Sequence, residues 1–99
     1  MRSQDERAAF PEVVLTEFYT EACGFCREEA MILEELAEVF ARRVEFRRID
    51  AQVEGRLAEE QVVFNVPTLI LERDGELVER FNGFVAGERL ERAIRDALR

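Results

Sequence analysis

The chain has no lysine and no histidine, and only two cysteines and two prolines in 99 residues. All 14 basic residues are therefore arginine, which fits biased codon usage or heat adaptation through Arg–Glu surface pairs and carries little about activity. Basic charge is also scarce, 14 residues against 22 acidic ones, for a net charge of −8. That balance disfavours nucleic acid or an anionic membrane as the partner. No apolar run approaches a transmembrane span, and the stretch Met1 to Arg7 has no apolar core of signal-peptide length. A cytoplasmic protein is expected. Its length suits one domain able to bury a real core, and its apolar content of 47% is ordinary for a globular chain. In a reducing compartment a cysteine pair is more often catalytic or metal-binding than structural.

The two cysteines stand as Cys23-Gly24-Phe25-Cys26, between the run Val13-Val14-Leu15-Thr16-Glu17-Phe18-Tyr19 and a helical pattern from Glu28 to Ala41. Branched and aromatic residues in a run predict a buried strand, and an apolar period near 3.6 after it predicts a helix. Cys23 then falls near the helix N-cap and Cys26 about one turn inside, with both sulfurs on one side of the helix start. The free N–H groups and partial positive charge at that end stabilise an anion, which favours the thiolate of Cys23 as nucleophile in thiol–disulfide exchange. Cys26, deeper and drier, stays a thiol until it resolves the mixed disulfide. Two alternatives stand beside this reading. Zinc wants four ligands, so two cysteines without histidine would need a second chain to close a site. A static disulfide is weaker still, because a two-residue spacer closes a very small loop.

In chain order, Ser3-Gln4-Asp5-Glu6 has the form of a capping box, predicting a short helix that runs to Ala9 and stops before Pro11. A strand is expected at Val13 to Tyr19, then a helix burying Ala30, Leu33, Leu36, Ala37 and Phe40. Alternation predicts a second strand at Val44 to Ile49. A weaker helix is expected over Val53 to Gln61, weakened by Gly55 inside it. Strands at Leu69 to Arg73 and Glu76 to Phe81 flank Asp74-Gly75, a strong hairpin signal. Leu90, Ala93, Ile94, Ala97 and Leu98 repeat with helical period. The predicted order βαβαββα implies an α/β fold with a mixed sheet and helices on both faces.

These residues together resemble the thioredoxin family. The resemblance rests on the cysteine pair after a strand, Val66-Pro67-Thr68 forty residues on, the hairpin, Gly83 after the last strand and a closing helix, and it covers residues 12 to 98. It implies the thioredoxin fold as one domain: a central mixed four-stranded sheet flanked by helices on both faces, with residues 1–11 as an N-terminal extension and the first strand of longer members missing. Carried over, Cys23 attacks, Cys26 resolves, and Pro67 follows a cis bond that lets Val66 present its backbone to an extended target. The alternative for Pro67 is an ordinary strand-start proline. Glu17, six residues before Cys23, takes the position of the family's buried acid, a candidate acid/base for Cys26. The rival is a glutamate facing outward. Gly24, Phe25, Val66, Pro67 and Gly83 are the expected substrate contacts.

Departures from the family pattern point to a partner surface of its own. Ala22 replaces the usual tryptophan, Phe25 the central proline, Met31 the helix-kinking proline, and Phe46 the lysine often paired with the buried acid. Glu17 is therefore expected to lack a cation. Glu28 and Glu29, if exposed, disfavour a thiolate at the helix start, with Arg27 offsetting part of this. Phe25 either covers the disulfide as a contact residue or packs against the sheet edge. The resemblance implies a disulfide reductase of target proteins, monomeric, with no bound cofactor beyond the Cys23–Cys26 disulfide, no metal, and an upstream electron donor such as a flavin-dependent thioredoxin reductase. Alternatives are a disulfide oxidase or isomerase, and a zinc or iron–sulfur binding module formed across a dimer.

Overall fold

The structure is a computed structural model describing residues 12–99. The expected helix after Ser3 falls on residues 1–11 and lies outside the described residues. The elements are β1 (Val13–Tyr19), α1 (Gly24–Phe40), β2 (Val44–Asp50), α2 (Gly55–Glu60), β3 (Thr68–Arg73), β4 (Glu76–Asn82) and α3 (Gly87–Ala97). They form one four-stranded sheet of order β2-β1-β3-β4. β1 runs parallel to β2, joined by the crossover α1, and antiparallel to β3, while β3 and β4 form the expected hairpin. Asp74 and Gly75 have φ of 53° and 83°, the two positive values of a type I′ turn.

β1 is covered on both sides, which explains its nearly continuous apolar character. Strand alternation sends Val13, Leu15 and Glu17 to the face carrying α1 and α3, where Leu33, Leu36, Phe40, Leu90 and Ile94 complete the main core. Each fully buried leucine or isoleucine there contributes about 1.5–3 kcal/mol. Phe18 faces the other way, packing with Ala58 of α2 and Ile70 of β3.

β2, β3 and β4 each run one residue beyond expectation, to Asp50, from Thr68 and to Asn82, and two helices end or begin elsewhere than expected. α1 ends at Phe40 because Ala41 turns to a φ of 50° as the C-cap. α2 is shorter than Val53 to Gln61 because the Asp50 carboxylate accepts the N–H groups of Gln52 and Val53, holding them in a turn. Gly55 opens that helix and does not interrupt it.

Candidate active site

Cys23 is the N-cap of α1, with extended backbone (φ −95°, ψ 109°), and its Sγ accepts the Cys26 N–H at 3.0 Å. The two residues form a disulfide, their Cα atoms 5.2 Å apart. Cys23 is partly exposed and Cys26 fully buried, the asymmetry that an attacking and a resolving thiol require. Arg27 folds back to donate to the Glu21 carbonyl at 3.0 Å, bracing the turn that leads into the cysteines.

The Val66–Pro67 bond is cis, with Pro67 buried and Val66 half-buried. Gly83 N–H donates to the Pro67 carbonyl at 2.8 Å, which joins the end of β4 to the proline segment. Gly83 has a φ of 112°, a conformation that side chains rarely adopt. The next residue, Phe84, sets its ring 6.0 Å from that of Phe25 at a tilt of 47°. Through Phe84 the cysteine turn that carries Gly24 and Phe25 is thus linked to Gly83 and, by its hydrogen bond, to Pro67. Phe25 does not pack on the sheet edge: it is 62% exposed beside Phe84, itself 42% exposed.

Glu17 is fully buried and not outward-facing. The expectation that it lacks a cation is corrected by Arg48, whose Nε donates to Glu17 Oε1 at 2.7 Å. The reason is register. In the parallel pairing, Leu15 stands opposite Phe46 and Glu17 opposite Arg48, so the cation comes from the next residue of β2 on the same face. Arg48 also stacks on Tyr19, its Cζ 3.9 Å from the ring centroid, and lines an open groove with Asp50, Val53, Glu54 and Leu57. Burial pushes the Glu17 carboxyl above the usual carboxylate range, and the hydrogen bond and charge of Arg48 pull it part of the way back.

Glu29 is a second correction, since it is not an exposed charge of the helix start. Its carboxyl is fully buried, and Oε1 accepts the Val85 N–H at 2.8 Å. Burial pushes it up to about 7, against the pull of the Val85 N–H and with a further push from the negative charge of Glu17. Among the described residues, Oε2 of Glu17 and of Glu29 have no hydrogen-bond partner. The signal was present in the sequence: Cys26, Glu29, Leu33, Leu36 and Phe40 follow one another at helical spacing, and all five are buried. Among the described residues no group of three or more His, Cys, Asp or Glu side chains is placed to hold a metal ion. Nor is any helix there long and apolar enough to cross a membrane.

A dithiol–disulfide pair at the start of a helix, beside a cis-proline strand, defines a thiol–disulfide oxidoreductase site. The Thioredoxin family model matches residues 5–96, and the chain belongs to the thioredoxin family. It is 34% identical to the thioredoxin of Bacillus subtilis over 82 residues, 83% of this chain and 79% of that one. A chloroplastic thioredoxin of Arabidopsis thaliana is 31% identical over 86 residues, 87% of this chain and 50% of that protein, so the chain spans about half its length. Among solved structures, a mutant thioredoxin from Halobacterium salinarum superposes with a TM-score of 0.84 at 32% identity, over 99% of this chain and 88% of that one. The protein is accordingly a thiol–disulfide oxidoreductase with the protein-disulfide reductase activity of that family.

Proposed function

We propose that the chain reduces disulfides of target proteins with Cys23 as nucleophile and Cys26 as resolving thiol. The observation that carries this is the placement of Cys23 Sγ at the helix N-cap, accepting the Cys26 N–H, while Cys26 is fully buried. The Cys23 thiolate attacks one sulfur of the target disulfide, forming a mixed disulfide and expelling the other sulfur as a thiolate, which takes a proton from solvent. Cys26 then gives its proton to a base, for which Glu17 is the candidate, and attacks Cys23 Sγ. The second target thiolate leaves, and the Cys23–Cys26 disulfide remains. Gly24, Phe25, Val66, Pro67 and Gly83 form the target contact surface, with the Val66 backbone pairing with an extended segment of the target.

The protein works in this proposal as a cytoplasmic monomer, without a bound cofactor, re-reduced by a flavin-dependent reductase. Cys23→Ser should abolish reduction, whereas Cys26→Ser should accumulate mixed disulfides; mixed disulfides trapped only by Cys23→Ser would reverse the assignment. The reduction potential measured against the glutathione couple gives the direction, a value near those of protein disulfide isomerases pointing to oxidation or isomerisation instead.

A further inference from the structure

Glu29 lies one turn beyond Cys26 on the buried stripe of α1, where an apolar side chain would pack with Leu33, Leu36 and Phe40. A carboxyl in such a place is costly unless hydrogen-bonded. Among the described residues its hydrogen-bond donor is the Val85 N–H, 56 positions away in the chain. Two residues earlier, Gly83 N–H is held by the Pro67 carbonyl. The segment Gly83-Phe84-Val85 is therefore fastened at one end to the cis-proline strand and at the other to the active-site helix. Phe84 stands between the two fastenings, against Phe25 of the cysteine turn.

We propose that Glu29 is a positioning residue for target recognition: by holding the Val85 N–H against α1 it sets Gly83 and Phe84 beside the cysteine turn, and so tunes affinity for protein disulfides without entering the sulfur chemistry. This rests on the disulfide-reductase reading above. Without an acceptor, the partly buried Val85 N–H is left unsatisfied, and the segment must shift toward water to hydrate it. Phe84 then leaves Phe25, and the surface that an extended protein target covers is no longer preformed. A small disulfide reaches partly exposed Cys23 without that surface.

The experiment compares Glu29→Leu and Glu29→Gln with wild type on two substrates, insulin and a small aryl disulfide, with a dithiol supplying electrons. Glu29→Leu should raise the KM for insulin about tenfold while kcat, and the rate with the aryl disulfide, stay within about twofold. Glu29→Gln keeps an acceptor for Val85 and should bring the insulin KM back to within about twofold of wild type. An equal loss on both substrates, an unchanged insulin KM in Glu29→Leu, or a Gln variant as impaired as the Leu variant overturns the proposal. Should Glu29→Leu not fold, amide exchange at Val85 in wild type and Glu29→Gln decides: protection in both supports the fastening, and free exchange in either removes it. Wild type inactive on both substrates removes the reductase reading itself, whereas wild type active on both with no effect of Glu29→Leu removes only this role.

Discussion

Arg48 and Glu17 are direct partners across the parallel pairing of β1 and β2, and they form an ion pair between a strand centre and the surface. The carboxyl is fully buried, while the guanidinium side is 37% exposed and braced on Tyr19. The pair therefore brings one charge to the edge of water and leaves the other dry. Glu17 keeps its raised pKa even so, because a single hydrogen bond does not replace the hydration lost by both carboxylate oxygens.

Arg48→Met should destabilise the fold by about 1–3 kcal/mol. Breaking a fully buried pair costs more, but here the cation is partly solvated and Glu17 can respond by taking a proton. The combination Arg48→Met with Glu17→Gln should recover most of the loss, since no charge is then left buried. Urea midpoints of the two single variants and the double variant give the coupling; additive effects would show that the pair carries no interaction energy.

Most of this fold is legible in the amino-acid order because its signals are local. Val13 to Tyr19 is read to the residue, the Asp74-Gly75 turn identifies itself, and Leu90 to Ala97 repeats with helical period. What escapes reading depends on pairing between distant segments. Assigning Arg48 to Glu17 requires the register of β1 on β2, since a slip of two residues would put Phe46 opposite the acid and a slip of one would put Arg47 or Ile49 there. Glu29 is misread for a different reason. Beside Glu28 it looks like one of two solvent-facing charges, and only its place on the Cys26 to Phe40 stripe, with a donor 56 residues away, marks it as buried.

The pH dependence of stability should carry the mark of Glu29. Its carboxyl ionises near its ordinary value of 4.5 in the unfolded chain and near 7 in the fold, so between those values the folded state binds more protons. Stability is then full below about pH 4.5, falls as pH rises, and levels off above about pH 7, a loss on the order of 3 kcal/mol from this group. Glu17, also raised, adds a fall of the same sign. Glu29→Gln should flatten the profile between pH 5 and 8 in urea unfolding, and a slope unchanged from wild type would place the titration elsewhere.

Two glycines separate backbone strain from steric room. A Cβ at Gly83 or at Gly55 would meet no atom within 4 Å, yet Gly83 has a φ of 112° and Gly55 begins a helix. Gly83→Ala should therefore lower stability by about 1–3 kcal/mol. Gly55→Ala should be neutral or stabilising by up to about 1 kcal/mol, through the helix propensity gained and the unfolded-state freedom lost. Thermal midpoints decide, and equal shifts of one sign would show that the φ at position 83 is not what selects glycine.

In the proposed cycle Glu17 takes the proton of Cys26; both residues are fully buried, Glu17 on β1 and Cys26 in the first turn of α1. Resolution needs the Cys26 thiolate, and a thiol so far from water has no solvent base at hand. A carboxylate whose pKa is raised by burial is a stronger base than a free one and better matched to a thiol. Glu17→Gln keeps the shape and an acceptor for Arg48 while removing the basic site. It should leave the first attack by partly exposed Cys23 within about twofold of wild type and slow release of the mixed disulfide by at least about tenfold. General base catalysis is worth about 10²–10⁴, so a loss of at least about tenfold is the least that this role requires. In wild type the resolving rate should rise with pH through the raised carboxyl range of Glu17, and in Glu17→Gln that rise should be lost. Rapid-mixing measurements with a preformed Cys23 mixed disulfide follow the second step alone; wild-type resolution in the Gln variant across that range would leave Glu17 as an anchor for Arg48 and nothing more.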